Sequence, residues 1–132
     1  MQRKVMLSKI HRATVTRCDV DYVGSITIDA ELLHATGIRP NEAVWVLDID
    51  NAVRFETYVI AGEPGSGAIE INGAAAKLVE VGHKVIILNY GLLEAEEIDD
   101  HVADVVICDD ANAVGERRRY PSSLVDSAPI LA

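Results

Sequence analysis

The chain has 132 residues, the size of one ordinary domain, and its 49% hydrophobic content is ample for one packed core. No apolar run approaches the ~20 residues a membrane-spanning helix needs, and the basic N-terminus (Arg3, Lys4, Lys9) lacks the apolar stretch of a secretory signal, so a soluble cytoplasmic protein is expected. A formal net charge of −9 argues against a protein that grips nucleic acid by neutralising its phosphates.

Charge is uneven along the chain: Arg3, Lys4, Lys9, Arg12 and Arg17 precede the first acidic residue, Asp19, whereas 94–110 is acidic with no Lys or Arg. Short β-branched segments at 12–16, 25–28, 44–49, 54–60, 68–71, 84–89 and 102–108 read as strands. One helix is signalled over 30–36, with Asp29 as its N-cap and Gly37 as its stop. The small residues from Gly73 to Ala76 predict a second short helical turn, closed by Gly82. The Gly- and Pro-rich segment 62–67 reads as a loop; it lacks the Lys-Ser/Thr pair of a phosphate-binding loop. From Gly115 onward no periodicity is visible, so 1–114 is expected to form a single domain and 115–132 a mobile tail. Strands joined by turns and brief helices favour a mainly β fold, a small closed or nearly closed barrel, over a parallel α/β sheet.

Cys18 and Cys108 lack C-x-x-C spacing and read as structural thiols, and His11, His34, His83 and His101 show no i, i+4 pairing, so no metal is expected.

A Gly-Ser pair alone carries no information, since one also occurs at Gly65-Ser66. The pair at Gly24-Ser25 stands in a richer setting: Lys9-Ile10-His11-Arg12, then Asp21-Tyr22-Val23-Gly24-Ser25-Ile26-Thr27-Ile28-Asp29, then Arg54-Phe55-Glu56-Thr57-Tyr58, then Ile71-Asn72-Gly73-Ala74-Ala75-Ala76. This set, in this order and spacing, resembles the pyruvoyl-dependent aspartate 1-decarboxylases from about Met1 to about Ala113. The resemblance implies a double-psi β-barrel, a homotetramer with active sites between neighbouring subunits, and conversion of L-aspartate to β-alanine and carbon dioxide for pantothenate and coenzyme A synthesis. It further implies self-cleavage between Gly24 and Ser25 into 1–24 and 25–132. The cofactor would be a covalent pyruvoyl group made from Ser25, with neither metal nor pyridoxal phosphate.

The chemistry follows from the residues. Attack of the Ser25 hydroxyl on the Gly24 carbonyl replaces an amide by an ester, a better leaving group for β-elimination. Gly24, lacking Cβ, is expected to tolerate the backbone geometry of that attack. The resemblance assigns Thr57 to the Gly24 carbonyl and Asn72 to assisting cleavage, with Tyr22 a second aromatic beside it. The ketone so formed can condense with the substrate amine and accept electrons as carbon dioxide leaves. The carbon left behind needs a proton; a phenol with an ordinary pKa of about 10 still holds one at pH 7, and the resemblance points to Tyr58. The α-carboxylate loses its charge during reaction, so a cation held tightly to it would stabilise the ground state. Arg54 is therefore expected to bind the side-chain carboxylate instead. Lys9 and His11 are expected to add positive potential, and the N–H groups of Gly73, Ala74 and Ala75 to cradle the α-carboxyl end. Tyr58 follows Thr57 directly, so in a regular strand the two face opposite sides; a local distortion would relieve that conflict.

Two other readings compete. One keeps the pyruvoyl group and changes the substrate to glutamate or another amino acid, which a substrate panel separates. The other is a small DNA-binding barrel using the basic N-terminus, which the net charge opposes and salt-dependent duplex binding would revive.

Overall fold

In a computed structural model, residues 1–125 and the backbone of 130–131 are described. In chain order the strands are β1 (Gln2–Thr14), β2 (Arg17–Asp19), β3 (Ser25–Asp29), β4 (Ala43–Asp48), β5 (Arg54–Gly62), β6 (Ile69–Asn72), β7 (Lys84–Glu94), β8 (Val102–Cys108), β9 (Val114–Pro121) and β10 (Ile130–Leu131). Two short α-helices, α1 (Ala30–Thr36) and α2 (Ala95–Ile98), and a 3-10 turn over Gly73–Lys77 complete the fold. The strands pair in the order β10-β9-β8-β1-β7-β4-β5-β3-β6-β2. Parallel pairs, β1 with β8, β3 with β5 and β2 with β6, interrupt the antiparallel ones. An up-and-down barrel lacks such crossovers.

The sheet curls around a core of β-branched and aliphatic side chains, among them Ile10, Ile26, Ile28, Val46, Ile69 and Ile87, all fully buried. Residues alternating with these face outward. Helix α1 packs against β1, β3, β5 and β8 and adds Leu32 and Leu33 to that core. It starts and stops where expected: the Asp29 carboxylate accepts the Glu31 N–H at 2.8 Å, and Gly37 is left-handed at φ 77°. Asp29 also accepts N–H bonds from Gly65 at 3.0 Å and Gly67 at 2.8 Å. The 62–67 loop thus spends its N–H groups on a buried carboxylate of its own chain.

Three boundaries differ from the sequence reading. β1 runs from Gln2 instead of beginning at 12, with bulges near Leu7 and Arg12 that break its alternation. β7 continues past 89 to Glu94. The segment taken as the start of a mobile tail is strand β9, antiparallel to β8 from Val114 to Pro121, so a boundary after 114 falls inside the sheet. Beyond 125, apart from the backbone of β10, that tail lies outside the described residues. Among the described residues no helix is long and apolar enough to cross a membrane.

Candidate active site

Ser25 opens β3 directly opposite Asn72 on β6. Both lie on the outward face, yet Ser25 is only 1% exposed, covered by the 20–24 segment. Its hydroxyl accepts a 2.9 Å bond from the Asn72 side-chain amide and donates to the Val23 carbonyl at 3.3 Å. The same amide donates to the Thr27 hydroxyl at 3.2 Å. Asn72 occupies the N-cap position of the 3-10 turn but makes no side-chain cap bond, because its amide is turned toward Ser25. The first N–H groups of that turn, from Gly73, Ala74 and Ala75, therefore gain nothing from the cap side chain.

Gly73 is left-handed at φ +75°, and a Cβ there would stand 2.6 Å from the Gly24 Cα and 2.9 Å from its nitrogen. The turn is thus pressed against the Gly24 backbone, on the side of its nitrogen and Cα. Gly24 was expected to be the residue needing freedom from a side chain. It is not among the left-handed glycines, and a Cβ on it would meet only the Asn72 carbonyl at 3.9 Å, an ordinary contact. In the uncut chain the steric demand for glycine sits at 73.

β5 runs parallel to β3 with Val59 beside Ile26, and continuing that register by one residue to the start of β3 sets Tyr58 beside Ser25, while Gly24 lies before the strand. Val59 and Ile26 face the core, so Tyr58, 36% exposed, shares the outward face with Ser25. Thr57 points inward with Phe55 and Val59. No bulge relieves this: β4–β5 pairing runs without a break from Ala43–Tyr58 to Leu47–Arg54. The two residues serve opposite faces of one strand. Tyr22 sits in the covering segment, half exposed, with its carbonyl toward Gly73.

Arg54 lies elsewhere on the outward face, four residues or about 13 Å along β5 from Tyr58. It lines a groove of about 360 Å³ with Lys4, Trp45, Leu47, Leu88 and Tyr90, where the Lys4 ammonium lies 5.2 Å from the Tyr90 ring centre. Lys9 pairs with Leu88 and His11 with Ile86, which places both on this face. Burial pushes the His11 pKa below its usual value, and Lys9, Arg12 and Arg118 push it the same way. This direction disfavours the positive potential expected of His11 and favours a neutral ring that offers a hydrogen-bonding nitrogen. Among the described residues its Nδ1 is buried without a partner. Arg118, missed in the sequence because it lay in the supposed tail, faces the same side through the β8 pair Val105–Arg118. Among the described residues no hydrogen bond or ion pair ties Arg54, Lys9 or His11 to the Ser25–Asn72 cluster.

The family model described as "Aspartate decarboxylase" matches residues 1–115. The chain belongs to the aspartate decarboxylase family. Three curated relatives are each named aspartate 1-decarboxylase. That of Caldicellulosiruptor saccharolyticus is 59% identical over 111 residues, 84% of this chain and 87% of the relative. That of Staphylococcus aureus is 53% identical over 116 residues, 88% and 91% of the two chains. That of Listeria monocytogenes is 51% identical over 114 residues, 86% and 90%.

A second polar cluster of this aspartate decarboxylase family member lies at the turn after β4. Asp48, Asp50 and His83 bring ligand-type atoms within 4.8 Å of one another, a grouping that spacing did not reveal. The Asp48 carboxylate pairs with His83 Nδ1 at 2.6 Å and accepts the Asp50 and Asn51 N–H groups, while Asp50 accepts the Lys84 N–H. Those bonds brace the turn between β4 and β5. Both cysteines are free thiols; burial, helped by Glu80, raises Cys18, and burial with Asp109 pushes Cys108 up to about 12. A cavity of about 380 Å³ beside α1, lined by residues such as Leu33, Ile38 and Pro40, holds none of the candidate residues.

Proposed function

We propose that this chain cleaves itself between Gly24 and Ser25, carries a pyruvoyl group at residue 25, and decarboxylates L-aspartate to β-alanine and carbon dioxide for pantothenate and coenzyme A synthesis. One observation carries the reading: the buried Ser25 hydroxyl is held by Asn72, next to a Gly24 backbone against which Gly73 packs, in a chain whose relatives are named aspartate 1-decarboxylase.

In cleavage the Ser25 oxygen bonds to the Gly24 carbonyl carbon, the carbon–nitrogen bond breaks, and the hydroxyl proton ends on the freed amine. The family resemblance gives the developing oxyanion to the hydroxyl of Thr57, which would have to reach it from the inward face of β5. Loss of the residue 25 α-proton then expels the Gly24 carboxylate, and the unsaturated residue takes up water and releases ammonia. The residues present fit the product: residue 25 is buried at the start of β3, opposite Asn72 and next to the register position of Tyr58.

When formed, the pyruvoyl group supplies the electrophilic carbonyl that takes the substrate amine and the electrons released with carbon dioxide. The protein's side chains do the rest. Tyr58 delivers the proton to the carbon left behind. Arg54 holds the side-chain carboxylate, Lys9 strengthens the field, and His11 offers its free nitrogen. The N–H groups of Gly73, Ala74 and Ala75 receive the α-carboxyl end without a full charge to hold it back. As the family resemblance implies, the site is completed between neighbouring copies in a homotetramer, an arrangement supported by the distance of the cationic face from Ser25 on one chain.

Intact mass tests the reading: fragments 1–24 and 25–132, the larger blocked to Edman degradation, together with β-alanine from aspartate. A full-length chain after prolonged warm incubation, or an active Ser25→Ala variant, overturns it.

A further inference from the structure

The Ser25 hydroxyl is fixed by an amide that is itself fixed by a third residue. Asn72 has two side-chain N–H groups, and both are used on β3: one on Ser25 at 2.9 Å, the other on Thr27 at 3.2 Å. Ser25 and Thr27 stand two residues apart on the same face, with Asn72 opposite Ser25. We propose that Thr27 is a positioning residue for cleavage of the 24–25 bond, its hydroxyl setting the plane of the Asn72 amide so that the other N–H stays on the Ser25 oxygen. The inference deepens the self-cleavage reading and rests on it.

The terminal torsion of asparagine is broad, so a single hydrogen bond leaves the amide free to rock. A second bond to an oxygen on a rigid strand removes that freedom. Thr27 is itself held. Its methyl group lies where a Cβ on Gly62 would come within 3.1 Å, and that same Cβ would meet Ala68 at 3.2 Å and the Ile28 carbonyl at 3.3 Å. Gly62 therefore leaves room for the threonine methyl, and a β-branched side chain with one branch seated has its other branch aimed. The hydroxyl is left pointing at Asn72. The order of control runs from Gly62 to Thr27, to the Asn72 amide, to the nucleophile.

Thr27 touches neither the bond that forms, from the Ser25 oxygen to the Gly24 carbon, nor the carbon–nitrogen bond that breaks. It acts only through Asn72. Thr27→Val keeps the shape and removes the hydroxyl, whereas Thr27→Ser keeps the hydroxyl. The experiment follows conversion of freshly made full-length chain into its two fragments by intact mass, for wild type and both variants. Thermal unfolding is measured in parallel on the uncleavable Ser25→Ala background.

Thr27→Val is expected to cleave roughly five- to tenfold more slowly, the size of one neutral hydrogen bond lost from an orienting pair. Thr27→Ser should cleave close to wild type. The Ser25→Ala/Thr27→Val chain should melt near Ser25→Ala alone. Wild-type cleavage in Thr27→Val overturns the assignment, as does Thr27→Ser cleaving as slowly as Thr27→Val, which would make the residue one of packing. A wild-type chain that never cleaves overturns the self-cleavage reading itself, and this inference with it.

Discussion

The two glycines at the candidate cleavage site make opposite demands, and alanine at each measures the difference. Gly73→Ala places a methyl 2.6 Å from the Gly24 Cα, a backbone atom that cannot rotate away, at a residue held at φ +75°. The left-handed conformation costs a non-glycine residue about 1–2 kcal/mol, and a methyl forced against filled space adds about 1–3 kcal/mol. Together they predict a loss of about 2–5 kcal/mol, or roughly 8–20 °C in Tm at ~4 °C per kcal/mol for a domain of this size. Gly24→Ala meets only the Asn72 carbonyl at 3.9 Å and is not left-handed. Its change should stay within about 1 kcal/mol, since such a substitution costs little folded energy and restricts the unfolded chain. Both are measured by thermal unfolding on a Ser25→Ala background, so that neither chain is cut. With Ser25 restored, Gly73→Ala should also slow cleavage, because the peptide it supports is displaced. Equal melting temperatures for the two variants would refute the claim that the turn is pressed onto the Gly24 backbone.

Four further outcomes are expected. Arg54→Ala should cleave itself normally but lose roughly 10- to 150-fold in kcat/KM for aspartate, the range for a charge-assisted bond, with Lys9→Ala a weaker version; an unchanged kcat/KM removes Arg54 from the substrate. Tyr58→Phe should also self-process, yet form β-alanine roughly a hundredfold or more slowly, and a wild-type rate would hand the proton to a water. The Asp48 bond raises the His83 pKa above its usual value, aided by the Asp48, Asp50 and Glu80 charges. The protonated pair therefore stabilises below the unfolded pKa of about 6.5 and fades as pH rises through the folded value; His83→Gln should lower Tm more at pH 5.5 than at pH 8.5, and an equal loss at both refutes it. With a pKa of about 12, Cys108 is thiolate in about one molecule in ten thousand at pH 8, so rapid iodoacetamide labelling of the folded protein there would contradict its burial.

What the sequence disclosed depended on how regular each element is. β8 was read with its exact bounds, and α1 with its caps, because alternation and an Asp–Gly frame act locally. β1 was truncated because its two bulges shift the alternation and its exposed half is charged. β9 was hidden behind Arg117, Arg118 and Arg119; only its pairing with β8 shows the alternation in burial. At the site, motif spacing found Ser25, Asn72 and Gly73, which the fold does bring together. It missed Thr27, an ordinary strand residue until its hydroxyl is seen on the Asn72 amide, and it did not show the burial that, with the nearby cations, lowers the His11 pKa. Both depend on side chains distant in sequence.

β1 lies between β7 and β8, joined to the former by eleven residue pairs and to the latter by four. Cutting at 24–25 leaves this inner strand, with β2, in a peptide that no covalent bond attaches to the rest. The fragment stays in place while the barrel stands, but unfolding the cut protein becomes a dissociation. Its melting midpoint then depends on protein concentration, and its refolding requires an encounter between two molecules. Ser25→Ala, of nearly identical composition, keeps both segments on one chain, so each protomer folds without that encounter and only the assembly of copies depends on concentration. Maturation would thus turn a protomer that folds from one chain into one that must be reassembled from two.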